Sequence, residues 1–285
     1  MDRAICRLNG GCSAGESRGE TSEPRPSRGL ITLEELESLT EDLDSHSALG
    51  RSNSPVGESV ETMEVEERDR LLHFWQDVGR GHQVDVPRDM AEPIQLLTTD
   101  MENNQEREKI PSTLLTKKEK CGVLLYEKRN LEKLNWACIT VREETYEQSI
   151  CLGFMKLMRY ICQQNSSGNY LGMTIPIITV VQVDDIRSTL LREVTVAYYL
   201  PQQYQDHPPQ PLDPEISIET WPAMVVYSRP FNGITNEASI LGEIRTLTDV
   251  LGSLSINTGN SFIIAGYTSP AALHRHNEIW FLERH

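Results

Sequence analysis

Between residues 121 and 282 the apolar residues run twice through one order of elements: strand, strand, helix, strand, strand. Residues 121–126 form a short apolar run, and residues 136–141 alternate as a strand does. Over residues 145–163 the spacing is helical, with Ile150, Phe154, Leu157, Met158 and Ile161 on one face. Residues 173–183 and 193–200 are rich in β-branched side chains, and Pro201 and the prolines of 207–211 then impose a loop. The order resumes with strands at 215–219 and 223–231. A helix follows over 238–254, with Ile240, Ile244, Leu247 and Leu251 on one face, and then strands at 261–267 and 277–282. Such a pattern restricts the chain to an α+β domain with a pseudo-twofold repeat: two long helices against a curved, largely antiparallel sheet or barrel. The repeat lies in the order of elements, not in residue identity.

The rest of the chain cannot build such a core. Residues 1–115 carry 24 Asp and Glu against 12 Lys and Arg, a net of −12, whereas residues 116–285 carry 18 against 15, a net of −3. A strongly acidic, weakly apolar segment buries too little surface to offset its ordering entropy. Residues 1–115 are therefore expected to be mostly disordered. Two local signals stand out. Thr32 with Glu35 is a capping-box signature for a short helix. Within 61–78, Leu71, Trp75 and Val78 share a helical face, an amphipathic helix suited to docking on the C-terminal domain or on a partner protein. Residues 79–115 are expected to be a polar, Pro-punctuated linker, and the basic run Lys117–Lys120, interrupted by Glu119, a solvated extension of it.

Several function classes lose support at once. Nucleic-acid binding needs clustered Lys and Arg, and no such stripe exists. No stretch approaches the roughly 18 apolar residues of a membrane span, and residues 1–6 lack an apolar signal core. The six cysteines form no Cys-x-x-Cys pair, as expected of a reduced cytoplasmic protein. A Gly-rich phosphate loop, a nucleophile elbow and a metal-spaced His/Glu pair are all missing from the sequence. No catalytic or metal-ligating set is expected, and Glu278 suits a buried hydrogen-bonding partner for a basic residue or a backbone group.

Five short motifs then occur in one order: Tyr126-Glu127-x-Arg129 with Trp136; Leu171-Gly172-Met173-Thr174-Ile175-Pro176; Leu200-Pro201; Asp206-x-Pro208-Pro209-x-Pro211; and Gly266-Tyr267-x-Ser269-Pro270 before Asn277-Glu278-Ile279-Trp280. Over residues 116–285 this set resembles the SOUL/heme-binding-protein family. The resemblance implies a distorted antiparallel β-barrel flanked by two long helices. It also implies noncovalent binding of heme or another tetrapyrrole, without catalysis, for buffering or transport. The alternative is a protein-interaction or small amphipathic ligand-sensing module in which heme binding is lost or weak.

In that family the first long helix is the candidate porphyrin contact, which here is the 145–163 segment. Beside its core face runs a stripe of Cys151, Met155, Met158 and Cys162, soft side chains that can lie against a flat macrocycle or simply pack. Phe154, on the core face beside the stripe, is a further candidate contact. Lys156 and Arg159 flank it as partners for propionates, and Tyr170 offers an aromatic face. Where some relatives carry a histidine after Tyr-Glu-x-Arg, this chain has Asn130, a poor iron ligand. Hydrophobic clamping of the ring is the mechanism expected from the sequence.

Overall fold

The structure, a computed structural model, describes residues 58–102, 107–256, 259–268 and 275–283. The helix expected near Thr32 lies outside the described residues. Among the described residues, nine strands form one sheet: β1 (Ser112–Lys120), β2 (Val123–Leu131), β3 (Leu134–Arg142), β4 (Ile177–Gln182), β5 (Glu193–Tyr199), β6 (Ile216–Trp221), β7 (Met224–Asn232), β8 (Ser261–Gly266) and β9 (His276–Leu282). Their order is β1-β2-β7-β9-β8-β4-β5-β3-β6, and every pairing is antiparallel. The sheet curls into a half-barrel with β1 and β6 at its edges.

The repeat is visible in this order. With β1 set aside, exchanging β2 with β6, β3 with β7, β4 with β8 and β5 with β9 reproduces the same sheet read backwards. Each half carries one long helix between its second and third strands. Numbered in chain order, these are α3 (Tyr146–Cys162) and α4 (Glu237–Gly252). Both begin on a capping box, Thr145 with Gln148 and Asn236 with Ser239, which satisfies backbone donors that the first turn leaves open.

Alternation along the strands divides the core. On β3, Ala137 and Ile139 face α3 while Trp136 and Cys138 face the other way; on β9, Ile279 and Phe281 face α4 while Trp280 is reversed. The helix-free face holds Trp136, Tyr199 and Trp280, with Trp136 stacked on Trp221 at 5.0 Å.

Two segments differ from the expectation. Residues 112–120 are strand β1, not linker, joined to β2 through a two-residue turn. Both turn residues have positive φ, Cys121 at 51° and Gly122 at 77°, which matches hairpin twist. Every residue of β1 is exposed, so it has no buried face to impose alternation on the sequence. The segment 79–115 also holds a 3-10 turn (Arg88–Met90) and α2 (Ala91–Glu102). Met90, Ile94 and Leu97 stand at helical spacing and are buried, together with Val84 and Val86. Pro93 is tolerated because it sits in the first turn, where backbone donors have no helical acceptor. The amphipathic segment is α1 (Glu58–Gly81); Leu72 is buried, and Leu71 and Trp75 pack on the domain's own core.

Candidate functional site

α3 is pinned at its middle and at its C-terminal end. Gly153 lies against the sheet so closely that an added Cβ would meet Val196 Cγ2 at 2.8 Å and Val141 Cγ2 at 3.4 Å. Leu157, Tyr160 and Ile161 are buried beside it, and the Tyr160 hydroxyl donates to Pro209 O at 2.8 Å, tying the Pro loop to the helix. Beyond the C-terminus, Asn165 closes the turn by donating to Tyr160 O and Asn169 O, and Leu171 N donates to Ile161 O.

At roughly 100° per residue, the positions opposite Gly153 are Cys151, Met155, Met158 and Cys162. The stripe expected from sequence is therefore the helix face that the sheet does not use. It is nonetheless covered. Met155 is 9% exposed and Met158 3%, and both share an apolar cluster with Met90, Ile94 and Leu97. Cys151, Phe154 and Tyr170 are half-buried against the same cluster, as are Leu71 and Trp75 of α1.

The two cations are engaged. Lys156 Nζ donates to Glu215 at 2.5 Å and lies 3.8 Å from Asp213. Arg159 reaches both oxygens of Asp89 at 2.9 and 3.0 Å, while its Nε is buried with no hydrogen-bond partner among the described residues. Gln163 donates to Glu92 at 3.1 Å, and the Cys162 thiol points at Pro93 O at 3.8 Å.

Burial pushes the Cys151 thiol up to about 11 and the Cys162 thiol to about 12. Neither supplies a thiolate near neutrality. At pH 8 about one Cys151 in a thousand is ionised, so peptide-resolved alkylation is expected to label exposed Cys121 long before Cys151. Comparable rates at the two cysteines would contradict the burial of this face. Asn130 sits within β2, paired with Thr113 and Val225, and β2 is far in sheet order from β3 and β5, on which α3 packs. Among the described residues, no cluster of three or more His, Cys, Asp or Glu could hold a metal ion. No helix among them is long and apolar enough to cross a membrane.

A concavity opens on the helix-free face, a cleft of about 380 Å³ lined in part by Ile110, Leu131, Ile175, Tyr267 and Trp280. The buried carboxylate of Glu278 lies in its wall. Arg129 grips Glu278 through both terminal nitrogens at 2.9 Å and also donates to Glu127. Tyr267 and Trp280 donate to the same Glu278 oxygen at 3.0 and 2.6 Å. Of the two partners expected for Glu278, a basic residue or a backbone group, the structure shows the basic one, Arg129. Paired carboxylates hold the Arg129 guanidinium protonated far above its ordinary range, outweighing the opposing effect of burial.

A SOUL heme-binding protein family model matches residues 107–282, more than half of the chain. Heme-binding protein 1 of Sus scrofa is 28% identical over 174 residues, 61% of this chain and 91% of that protein. Heme-binding protein 1 of Xenopus laevis is 29% identical over 184 residues, 64% of this chain and 93% of that protein. Heme-binding protein 2 of Homo sapiens is 29% identical over 164 residues, 56% and 78% of the two chains. Among solved structures, the EcmrR C-terminal domain gives a TM-score of 0.40 at 13% identity, over 55% of this chain and 97% of that one. SAV2435 bound to tetraphenylphosphonium gives 0.34 at 12% identity, over 56% and 93%.

Proposed function

The chain belongs to the SOUL heme-binding protein family, and on that premise we propose that it binds heme or another tetrapyrrole noncovalently on the outward face of α3. Its role on this reading is buffering or transport, without catalysis. One observation carries it: the α3 face that the sheet leaves unused is a stripe of soft side chains with two cations beside it. Cys151, Phe154, Met155 and Met158 would lie against the ring, whose apolar area favours polarisable, adaptable partners. Lys156 and Arg159 would hold the propionates, and the unpartnered Nε of Arg159 is a buried donor suited to a carboxylate. Tyr170 would add an aromatic edge. Both thiols of the stripe are neutral near pH 7, so the residues fit the ring better than they fit the iron. Bound heme would supply its redox-active iron; the residues named here only bind and orient the ring.

Titration of hemin into the full chain tests this reading through the Soret band and the quenching of tryptophan. Saturable binding at micromolar hemin is expected, with Met155→Ala/Met158→Ala weakening it about tenfold as two soft contacts are lost. Absence of a Soret shift and of quenching at those concentrations would overturn it.

The helix-free cleft favours a second reading, a site for a small amphipathic ligand. Its volume lies at the low end of the roughly 300–1,000 Å³ of ligand pockets. Filling it with Leu131→Trp would abolish binding on this reading and leave binding at α3 unchanged.

A further inference from the structure

The outward face of α3 is already taken by the chain's own N-terminal helices. We propose that residues 58–102 are an intramolecular cover that must leave before a tetrapyrrole can lie on Met155 and Met158. The inference rests on the tetrapyrrole reading of that face.

The stripe lies opposite Gly153 and the sheet, yet Met155 and Met158 are buried. They share one apolar cluster with buried Met90, Ile94 and Leu97, with Leu71 and Trp75 packed against it, and α2 packs directly on α3. An apolar ring and this apolar helix face would compete for one surface.

The polar fastenings are of a kind that a ligand can replace. Asp89 presents a carboxylate to Arg159, as a propionate would. Asp89 uses only one nitrogen of that guanidinium and leaves Nε buried without a partner. Because Asp89 is 59% exposed, this pair is a weak, solvent-screened one. Gln163 to Glu92 and the Cys162 thiol to Pro93 O are neutral-donor contacts.

The cover can also leave without dismantling the domain. It contributes no strand to the sheet. The chain that follows it is held independently: Glu108 accepts from the Tyr199 hydroxyl and Gln202 N, and residues 108 and 110 pair with Ile175. Ligand affinity is then the intrinsic affinity scaled by the fraction of molecules with the cover displaced, so loosening the cover tightens binding.

The experiment uses the full chain and metal-free protoporphyrin, followed by tryptophan quenching and by hydrogen exchange of residues 91–102. Asp89→Asn, an exposed change that does not threaten folding, is expected to tighten binding about threefold. Ile94→Ser/Leu97→Ser is expected to tighten it about tenfold or more, with far-UV circular dichroism confirming that the sheet persists. Saturating wild type with the porphyrin is expected to accelerate exchange in 91–102 while β3 and β5 stay protected. Equal dissociation constants for wild type and both variants, with exchange in 91–102 unchanged on saturation, would overturn the cover and leave tetrapyrrole binding intact. Failure of wild type and of both variants to bind would overturn the tetrapyrrole reading itself, and the cover with it.

Discussion

Glu278→Ala is expected to cost the fold about 3–5 kcal/mol, the toll of breaking a buried ion pair from one side. Glu278 is 5% exposed and is the acceptor on which Arg129, Tyr267 and Trp280 converge. Its loss strands a half-buried guanidinium with Glu127 alone and leaves two further donors without their acceptor. Those partners come from β2, β9 and the end of β8, so the damage spreads across sheet neighbours rather than staying in a loop. In a domain of this size the melting temperature should fall by roughly 6–20 °C. Arg129→Met/Glu278→Leu, which removes both charges of the pair, should recover only the part due to the stranded guanidinium, because Tyr267 and Trp280 still lack their acceptor and Glu127 loses its partner. Thermal unfolding monitored by circular dichroism measures all three. A shift of about 2 °C or less for the single substitution would mean that the cluster is solvated and not structural.

Leu157→Ala is expected to cost about 2–5 kcal/mol, since the side chain is fully buried on the sheet side of α3 and its removal leaves a cavity. Closure of that cavity is hindered by the neighbouring contact: Gly153 already sits at van der Waals limits against Val196, so α3 cannot settle closer. Urea unfolding measures the loss. Because Leu157 points away from the outward stripe, hemin affinity of the folded variant should stay within about threefold of wild type. Met155→Ala/Met158→Ala should divide its effects the other way, with affinity falling most. Two equal losses of affinity would contradict the separation of the two faces.

The long amphipathic helices were legible because half of each is buried and the apolar period survives in the residues. Central strands were legible from their β-branched and aromatic content: Val194 to Tyr199 in β5 and Ile279 to Leu282 in β9. β1 was not, since a fully exposed edge strand has no buried face to write alternation into the sequence. The spacing of Met90, Ile94 and Leu97 was present, but Pro87 before it and Pro93 within it read as linker punctuation. Gln148 three residues after Thr145 is a capping signal that could have set the start of α3. That Glu278 needs a hydrogen-bonding partner, a basic residue or a backbone group, followed from burying a carboxylate in a strand; that the partner is Arg129, 149 residues earlier, depends on the β2-β7-β9 register, which local pattern does not encode. The Cys/Met stripe was equally visible, but its cover by α2 is a tertiary contact between segments about 65 residues apart, beyond the reach of periodicity.

The eight methionines make the central claim directly measurable. With their methyl groups labelled with carbon-13, metal-free protoporphyrin added to the full chain should move the Met155 and Met158 resonances strongly upfield, since a macrocycle lying on α3 places both in its ring current. Met224, packed on the helix-free face, should stay in place. Met224 moving while Met155 and Met158 stay fixed would contradict the claim and put the ligand on the helix-free side of the sheet.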